Sequence, residues 1–226
     1  NAPVRIGASG GFGHPKSIAA GFMMGADFVM ITAPLQCTYE AGTSSRVKQM
    51  LQVCDVDDCD YAPAGQFFEQ GGQSQVLRKG VFFPARARKL YSLWQYHDAI
   101  SKIDPKTRTQ LEKNYFANDL EQVWHDLERR IWKEQSSIEI ERAQSDEKIK
   151  MGLVFQQYFR QSVQYALQGQ SNQTVNFQVQ SSSAMGAFNH WIGHSPWEQR
   201  HAADLLSQLN EDAMRVMRQG LTASIQ

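Results

Sequence analysis

Apolar positions change their rhythm along this chain. In the first sixty residues they come in short continuous runs punctuated by glycine; beyond about residue 85 they recur at three-to-four spacing. Residues 4–8 read as a short strand running into the turn Ser9-Gly10-Gly11-Phe12-Gly13. Pro15 stands where a helix would begin, and residues 17–24 have helical character up to Gly25, a C-cap. The uninterrupted run Phe28-Val29-Met30-Ile31 then predicts a parallel strand buried on both faces. Strand, glycine turn, helix and strand make a βαβ unit, with a further helix predicted over 43–53.

From 61 to 84 the pattern is irregular, with Gly65, Gly71, Gly72 and Gly80 between short apolar stretches and a hairpin expected near 76–83. Helices are predicted over 85–96, 105–116, 120–133, 146–167 and 197–218. In the fourth, Met151, Val154, Phe155, Tyr158, Phe159 and Ser162 share one stripe; in the fifth, Leu205, Leu206, Leu209, Ala213, Val216 and Met217 do. Such stripes are core. The fold class expected is α/β followed by mostly α, with residues 1–60 as one domain and 61–226 as a mainly helical appended subdomain. Two parallel strands cannot bury both faces of a sheet, so further strands are expected before residue 1. The opening residues look like a cut, with Asn1-Ala2 as the scar of a removed tag.

Charge narrows the partners. The 23 basic and 23 acidic side chains cancel, so nothing electrostatic points to nucleic acid or an anionic membrane. No apolar run approaches the roughly 18 residues that span a bilayer. Three cysteines, Cys37, Cys54 and Cys59, are too few and too odd for a disulfide framework, and a reducing cytoplasm is the expected setting. Cys54 and Cys59 are spaced too widely for a Cys-x-x-Cys clip. His190 and His194 are four apart, but Gly193 and Pro196 argue against a helix there, and no metal is expected. Ser181-Ser182-Ser183 lacks the Gly-x-Ser-x-Gly elbow of a hydrolase. The charged stretch 139–150 reads as a solvated helix face or linker, and Arg86 and Arg88 as candidates for an anionic ligand or carrier.

The chemistry sits in the glycine turn. Gly10, Gly11 and Gly13 lie between a strand and a helix, where backbone amides and the positive end of a helix can hold a phosphate. Thr32 and Ala33, past the next strand, are placed to supply a second set of amides. A tight βα turn with no ligand is the alternative.

Gly10-Gly11-Phe12-Gly13-His14-Pro15 and Ala19-Ala20-Gly21-Phe22-Met23-Met24-Gly25-Ala26-Asp27-Phe28-Val29 resemble the last βα units of a known family. These are the flavin-dependent enoyl reductases of polyunsaturated fatty acid synthases and trans-acyltransferase polyketide synthases, related to nitronate monooxygenases. The resemblance continues through Gln36-Cys37-Thr38-Tyr39-Glu40-Ala41-Gly42-Thr43-Ser44, Phe83-Pro84-Ala85-Arg86-Ala87, Lys89-Leu90-Tyr91 and Ala184-Met185-Gly186-Ala187-Phe188-Asn189. It implies a TIM barrel whose rim holds FMN through Gly10, Gly11, Gly13, Thr32 and Ala33, with NADPH as reductant. The substrate implied is an α,β-unsaturated thioester on acyl carrier protein. The partners implied are fatty acid or polyketide synthase components and a second copy in a homodimer. The family is about twice this length, so this chain would hold the last two of eight βα units. The catalytic residue is expected outside it, and the chain alone is expected to be inactive.

Two departures leave a second reading open. The family ends its eighth strand in Thr-Gly-Ser, where this chain has Ile31-Thr32-Ala33 followed by Pro34, which has no amide hydrogen. Ser182-Ser183 replaces a Gly-Pro pair. A non-catalytic docking module, keeping the scaffold with an altered flavin site, is the alternative.

Overall fold

The chain leaves strand β1 (Gly7–Ser9) through the glycine turn, forms helix α1 (Pro15–Met23), and returns as strand β2 (Phe28–Met30). The strands pair in parallel, Gly7 opposite Phe28, Ala8 opposite Val29 and Ser9 opposite Met30. Pro15 opens α1 because its fixed φ suits the first helical position. The chain escapes the helix end through Gly25, whose φ of +97° few other residues tolerate. Helix α2 (Ser45–Leu51) begins where the Ser44 hydroxyl accepts from the Val47 amide. The computed structural model describes residues 3–133, 137–193 and 195–223.

Strands β3 (Cys59–Pro63) and β4 (Gln73–Leu77) form a second two-stranded sheet. The strands therefore lie earlier than the hairpin expected over 76–83: Gly80, at φ +75°, turns the chain into helix α3 (Phe83–Tyr96), which claims Phe83. Helix α4 (Pro105–Leu111), capped by Asp104, runs on as a wider turn through Phe116 and stops at Ala117 in the left-handed region. Helices α5 (Leu120–Lys133), α6 (Ser137–Ser145) and α7 (Glu147–Gln168) follow. The predicted stripe on α7 is buried in full, from Met151 to Ser162. Around it Phe68 meets Tyr91, Trp94 and Phe159 edge-on, and Phe83 stacks on Tyr158 at 6.0 Å. The stretch 139–150 is not simply a solvated face: Ile140 and Ala143 are fully buried as α6 packs on α5 and α7.

Helices α8 (Ser183–Ile192) and α9 (Ala202–Ala223) complete the chain. Two compact units result, Asn1–Asp60 with Val179–Gln226, and Tyr61–Gln178. One boundary falls near residue 60, but residues 179–226, expected to join the helical subdomain, pack with the first unit. The reason is local. The buried side of α1 carries Ile18 and Ala19, and α9, with Leu205, Leu209 and Ala213 buried, packs against it. Of the stripe expected there, Leu206 is instead exposed. The same unit corrects a second expectation. Strand β2 is not buried on both faces: helix α1 packs on one, but Phe28 is 52% and Met30 51% exposed, because no layer among the described residues covers the other.

Candidate functional site

The three glycines of the turn have two different reasons to be glycine. Gly10 and Gly11 are exposed, with φ of +93° and +74°, and a methyl group on either would meet nothing within 4 Å. Backbone conformation selects them, and the space above them is open. Gly13 is buried, and a Cβ there would overlap the Ala184 carbonyl of α8. Packing selects it.

The N-terminus of α1 is already served. The Lys16 amide donates to His14 Nδ1 at 3.1 Å, and the Ser17 and Ile18 amides donate to the His14 carbonyl. Partial burial, and then the neighbouring Lys16 charge, lower His14 below its ordinary pKa, so the ring stays a neutral acceptor at pH 7. The donors left for an anion are those of the turn. Among the described residues no hydrogen bond engages the amides of Gly11, Phe12 or Gly13.

Since β1 and β2 are adjacent and parallel, the turn after Ser9 and the segment after Met30 emerge at the same edge. Thr32 is exposed there. Ala33 is buried and opens a tight 3-10 turn, Pro34–Cys37. The amides of Thr32, Ala33 and Leu35 are likewise unengaged among the described residues, whereas Pro34 has none to offer. Open space, two positive-φ glycines and two sets of uncommitted amides fit a phosphate group.

Behind this rim lies a polar cluster that composition and periodicity do not announce. Arg200 is 1% exposed and Lys48 4%. Arg200 Nε donates to the Ser195 carbonyl at 2.9 Å, and Nη1 donates to Asn189 Oδ1 at 2.9 Å and to Cys37 Sγ at 3.6 Å. Its carbonyl accepts from the Tyr39 amide at 2.8 Å. Lys48 Nζ donates to the Tyr39 carbonyl at 3.2 Å and sits 4.6 Å from the Trp197 ring centre. Burial pushes the Cys37 thiol up despite the pull of Arg200 and Lys48, so the group is a thiol at neutral pH. Burial also lowers Arg200, whose guanidinium nonetheless stays charged. Glu40 accepts from the Ala202 amide and meets His201 at 2.9 Å; that contact first, then backbone donors, hold its carboxyl below the ordinary range.

The segment Ala184–Asn189 explains itself in this setting. A Cβ on Gly186 would overlap the backbone of Asp55 and Val56, so glycine there allows helix and loop to touch. Asn189 Nδ2 donates to the carbonyls of Leu51 and Cys54, closing the end of α2. Asn189 stands out in the sequence only as the end of a segment that resembles the family, and nothing in the pattern points to Arg200.

Other candidates resolve differently. Arg86 is half-buried, donates to Asn176 and lies 5.0 Å from the Tyr115 ring centre, so it is committed inside the helical unit rather than offered to a ligand. Arg88 Nη1 donates to the Tyr61 carbonyl. His190 does lie on a helix, the last turn of α8, where it meets Asp55 at 3.2 Å; His194 is outside the described residues. Among the described residues no group of three or more His, Cys, Asp or Glu side chains is placed to hold a metal. Among the described residues Cys37, Cys54 and Cys59 form no disulfide. No described helix is long and apolar enough to cross a membrane.

Known proteins resemble the chain in whole and in part. The family described as acyl-carrier-protein S-malonyltransferase, inserted helical domain, matches residues 97–177, inside the helical unit. Polyketide biosynthesis protein ThaF of Burkholderia thailandensis is 44% identical over 213 residues, 93% of this chain and 18% of ThaF. Polyketide biosynthesis protein PksE of Bacillus subtilis is 43% identical over 91% of this chain and 27% of its own length. A polyunsaturated fatty acid synthase polypeptide of Thraustochytrium is 36% identical, and this chain spans 13% of it. The crystal structure of the enoyl reductase domain of MlnA, from the macrolactin biosynthesis cluster of Bacillus amyloliquefaciens, matches with a TM-score of 0.91 and 40% identity. That match covers 97% of this chain and 50% of the MlnA chain. Over nearly its whole length the chain is thus similar to the enoyl reductase domain of MlnA and to parts of polyketide and polyunsaturated fatty acid synthase proteins, and it spans half or less of each of them.

Proposed function

We propose that this chain is the C-terminal part of an FMN- and NADPH-dependent enoyl reductase acting on α,β-unsaturated acyl thioesters carried by acyl carrier protein. In this reading β1 and β2 are the last two strands of a TIM barrel. The observation that carries it is the pair of adjacent rims with uncommitted amides, in a chain 40% identical to an enoyl reductase domain. The exposed outer faces of Phe28 and Met30 agree with it, since further strands of the same barrel would cover them.

The amides of Gly11, Phe12 and Gly13 and those of Thr32 and Ala33 would hold the FMN phosphate, and the Thr32 hydroxyl adds a donor. Bound there, the flavin would supply the hydride chemistry between NADPH and the β-carbon of the enoyl thioester. The chain's own part is to fix the phosphate end and so orient the ring system.

The test uses the full-length protein. FMN titrated into the apoprotein is expected to bind and turn it yellow, and NADPH oxidation is expected to require an enoyl thioester. A protein that binds no flavin and turns nothing over overturns this function. A second reading, a docking module for synthase components, draws on the amide lost at Pro34 and the Cβ present at Thr32. If Thr32→Gly creates flavin binding where the unaltered protein has none, the module is favoured; tight flavin binding by the unaltered protein ends it.

A further inference from the structure

We infer that Arg200 is a positioning residue for the phosphate rim, acting through the 3-10 turn Pro34–Cys37; as regards the flavin, this rests on the function proposed above. A buried arginine is costly unless its donors are used, and where only packing is needed an apolar side chain does better. Arg200 is 1% exposed, and its partners are a carbonyl, an amide oxygen and a sulfur, with no carboxylate among the acceptors of its donated bonds. What the guanidinium supplies is its fork: one rigid plane that meets acceptors from separate segments at fixed angles.

Those segments converge on the rim. Nη1 bridges Asn189 on α8 to Cys37, the last residue of the turn that Ala33 begins. The Cys37 thiol donates to the Lys48 carbonyl of α2 at 3.4 Å, and the Arg200 carbonyl takes the Tyr39 amide. Lys48 holds the Tyr39 carbonyl from the other side. Residues 37–39 are thus gripped at thiol, amide and carbonyl, with Arg200 on two of the three. The segment before them, Thr32–Leu35, carries the uncommitted amides. At about 2 Å rise per residue, the grip lies one short turn from those donors. Far along the sequence, one residue fixes the loop that completes the site.

Arg200→Met in the full-length protein separates positioning from bulk stability, because an apolar side chain of similar length often replaces a buried charge without loss of stability. The expected result has two parts. Hydrogen exchange at the Gln36 and Tyr39 amides speeds up about tenfold while exchange in α1 is unchanged, and FMN binds about tenfold more weakly. Arg200→Lys is expected to recover part of both. A folded Arg200→Met protein with unchanged exchange at these amides, or with unchanged FMN affinity, overturns the inference. Should Arg200→Met fail to fold, Cys37→Ala removes the two sulfur contacts, to Arg200 and to the Lys48 carbonyl, and leaves the guanidinium in place; the same amides are expected to loosen and FMN to bind a few-fold more weakly, and no change in either overturns it. If the unaltered protein binds no FMN, the flavin function fails and this inference's claim on the flavin fails with it. The exchange measurement needs no flavin and decides independently whether Arg200 holds the turn.

Discussion

The helical unit gathers its buried apolar side chains into one continuous cluster, whereas the two parallel strands of the other unit leave one apolar face half exposed. In Tyr61–Gln178, Val76, Phe83, Leu90, Phe155 and Phe159 belong to one continuous buried cluster with aromatic rings meeting edge-on. In the unit of Asn1–Asp60 with Val179–Gln226, Val4, Ile6, Phe28 and Met30 stand half or more exposed. Helices bury a stripe against whichever helix lies beside them, so a few suffice. A parallel strand offers two apolar faces and two edges, and needs both neighbouring strands and covering layers. The regular core lies in one unit, and the candidate chemistry lies in the other, at the ends of strands that want more sheet.

The largest effect that tests this contrast is Phe155→Ala. Emptying a fully buried site is expected to cost the helical unit about 3–5 kcal/mol. Hydrogen exchange in α7 should rise while exchange in α1 does not; equal loosening of both would mean that the units do not differ in this way.

Alkaline pH gives the next largest effect. Burial first, against the pull of Arg86, pushes the Tyr158 hydroxyl up to about 12 from an ordinary 10.0. A raised value in the folded state means that its stabilisation is complete below pH 10 and is lost as pH rises toward 12. The loss at stake is on the order of 2–3 kcal/mol. Denaturation of Tyr158→Phe across that range should show a flatter slope than the unaltered protein.

Gly13→Ala should cost the first unit about 1–3 kcal/mol, because backbone of α8 must move aside. Its melting curve should shift more than that of Thr32→Ala, an exposed change. Smallest of all, Phe28→Ser in this chain should change stability by less than about 0.5 kcal/mol, as an exposed position does. In the full-length protein the same change is expected to cost about 2 kcal/mol or more, if strands cover that face. Equal small effects in both would remove the case for a completed barrel.

Periodicity located β1, α1, β2, α3, α5 and α7 because each has a pattern of its own length: a short run closed by glycine, or a stripe with a capping residue such as Asp146. It missed α8, where Gly186 and the nearby Gly193 and Pro196 lower helical propensity, and where contact with Asp55 and Val56 outweighs that preference. It assigned 179–226 to the wrong neighbours because an amphipathic stripe says that a helix packs, not against what.

The glycine turn shows the same division at residue level. That Gly10 to Gly13 close a strand and open a helix is written in the residues themselves, since only glycine takes such φ angles freely. That Gly13 answers to Ala184, that the α1 amides are consumed by His14, and that Arg200 and Lys48 are buried behind the rim depends on contacts between distant segments. Arginine and lysine lie at the surface by default. Only the tertiary structure, by surrounding them with carbonyls, an amide and a thiol, makes their burial affordable and places them where they hold the rim.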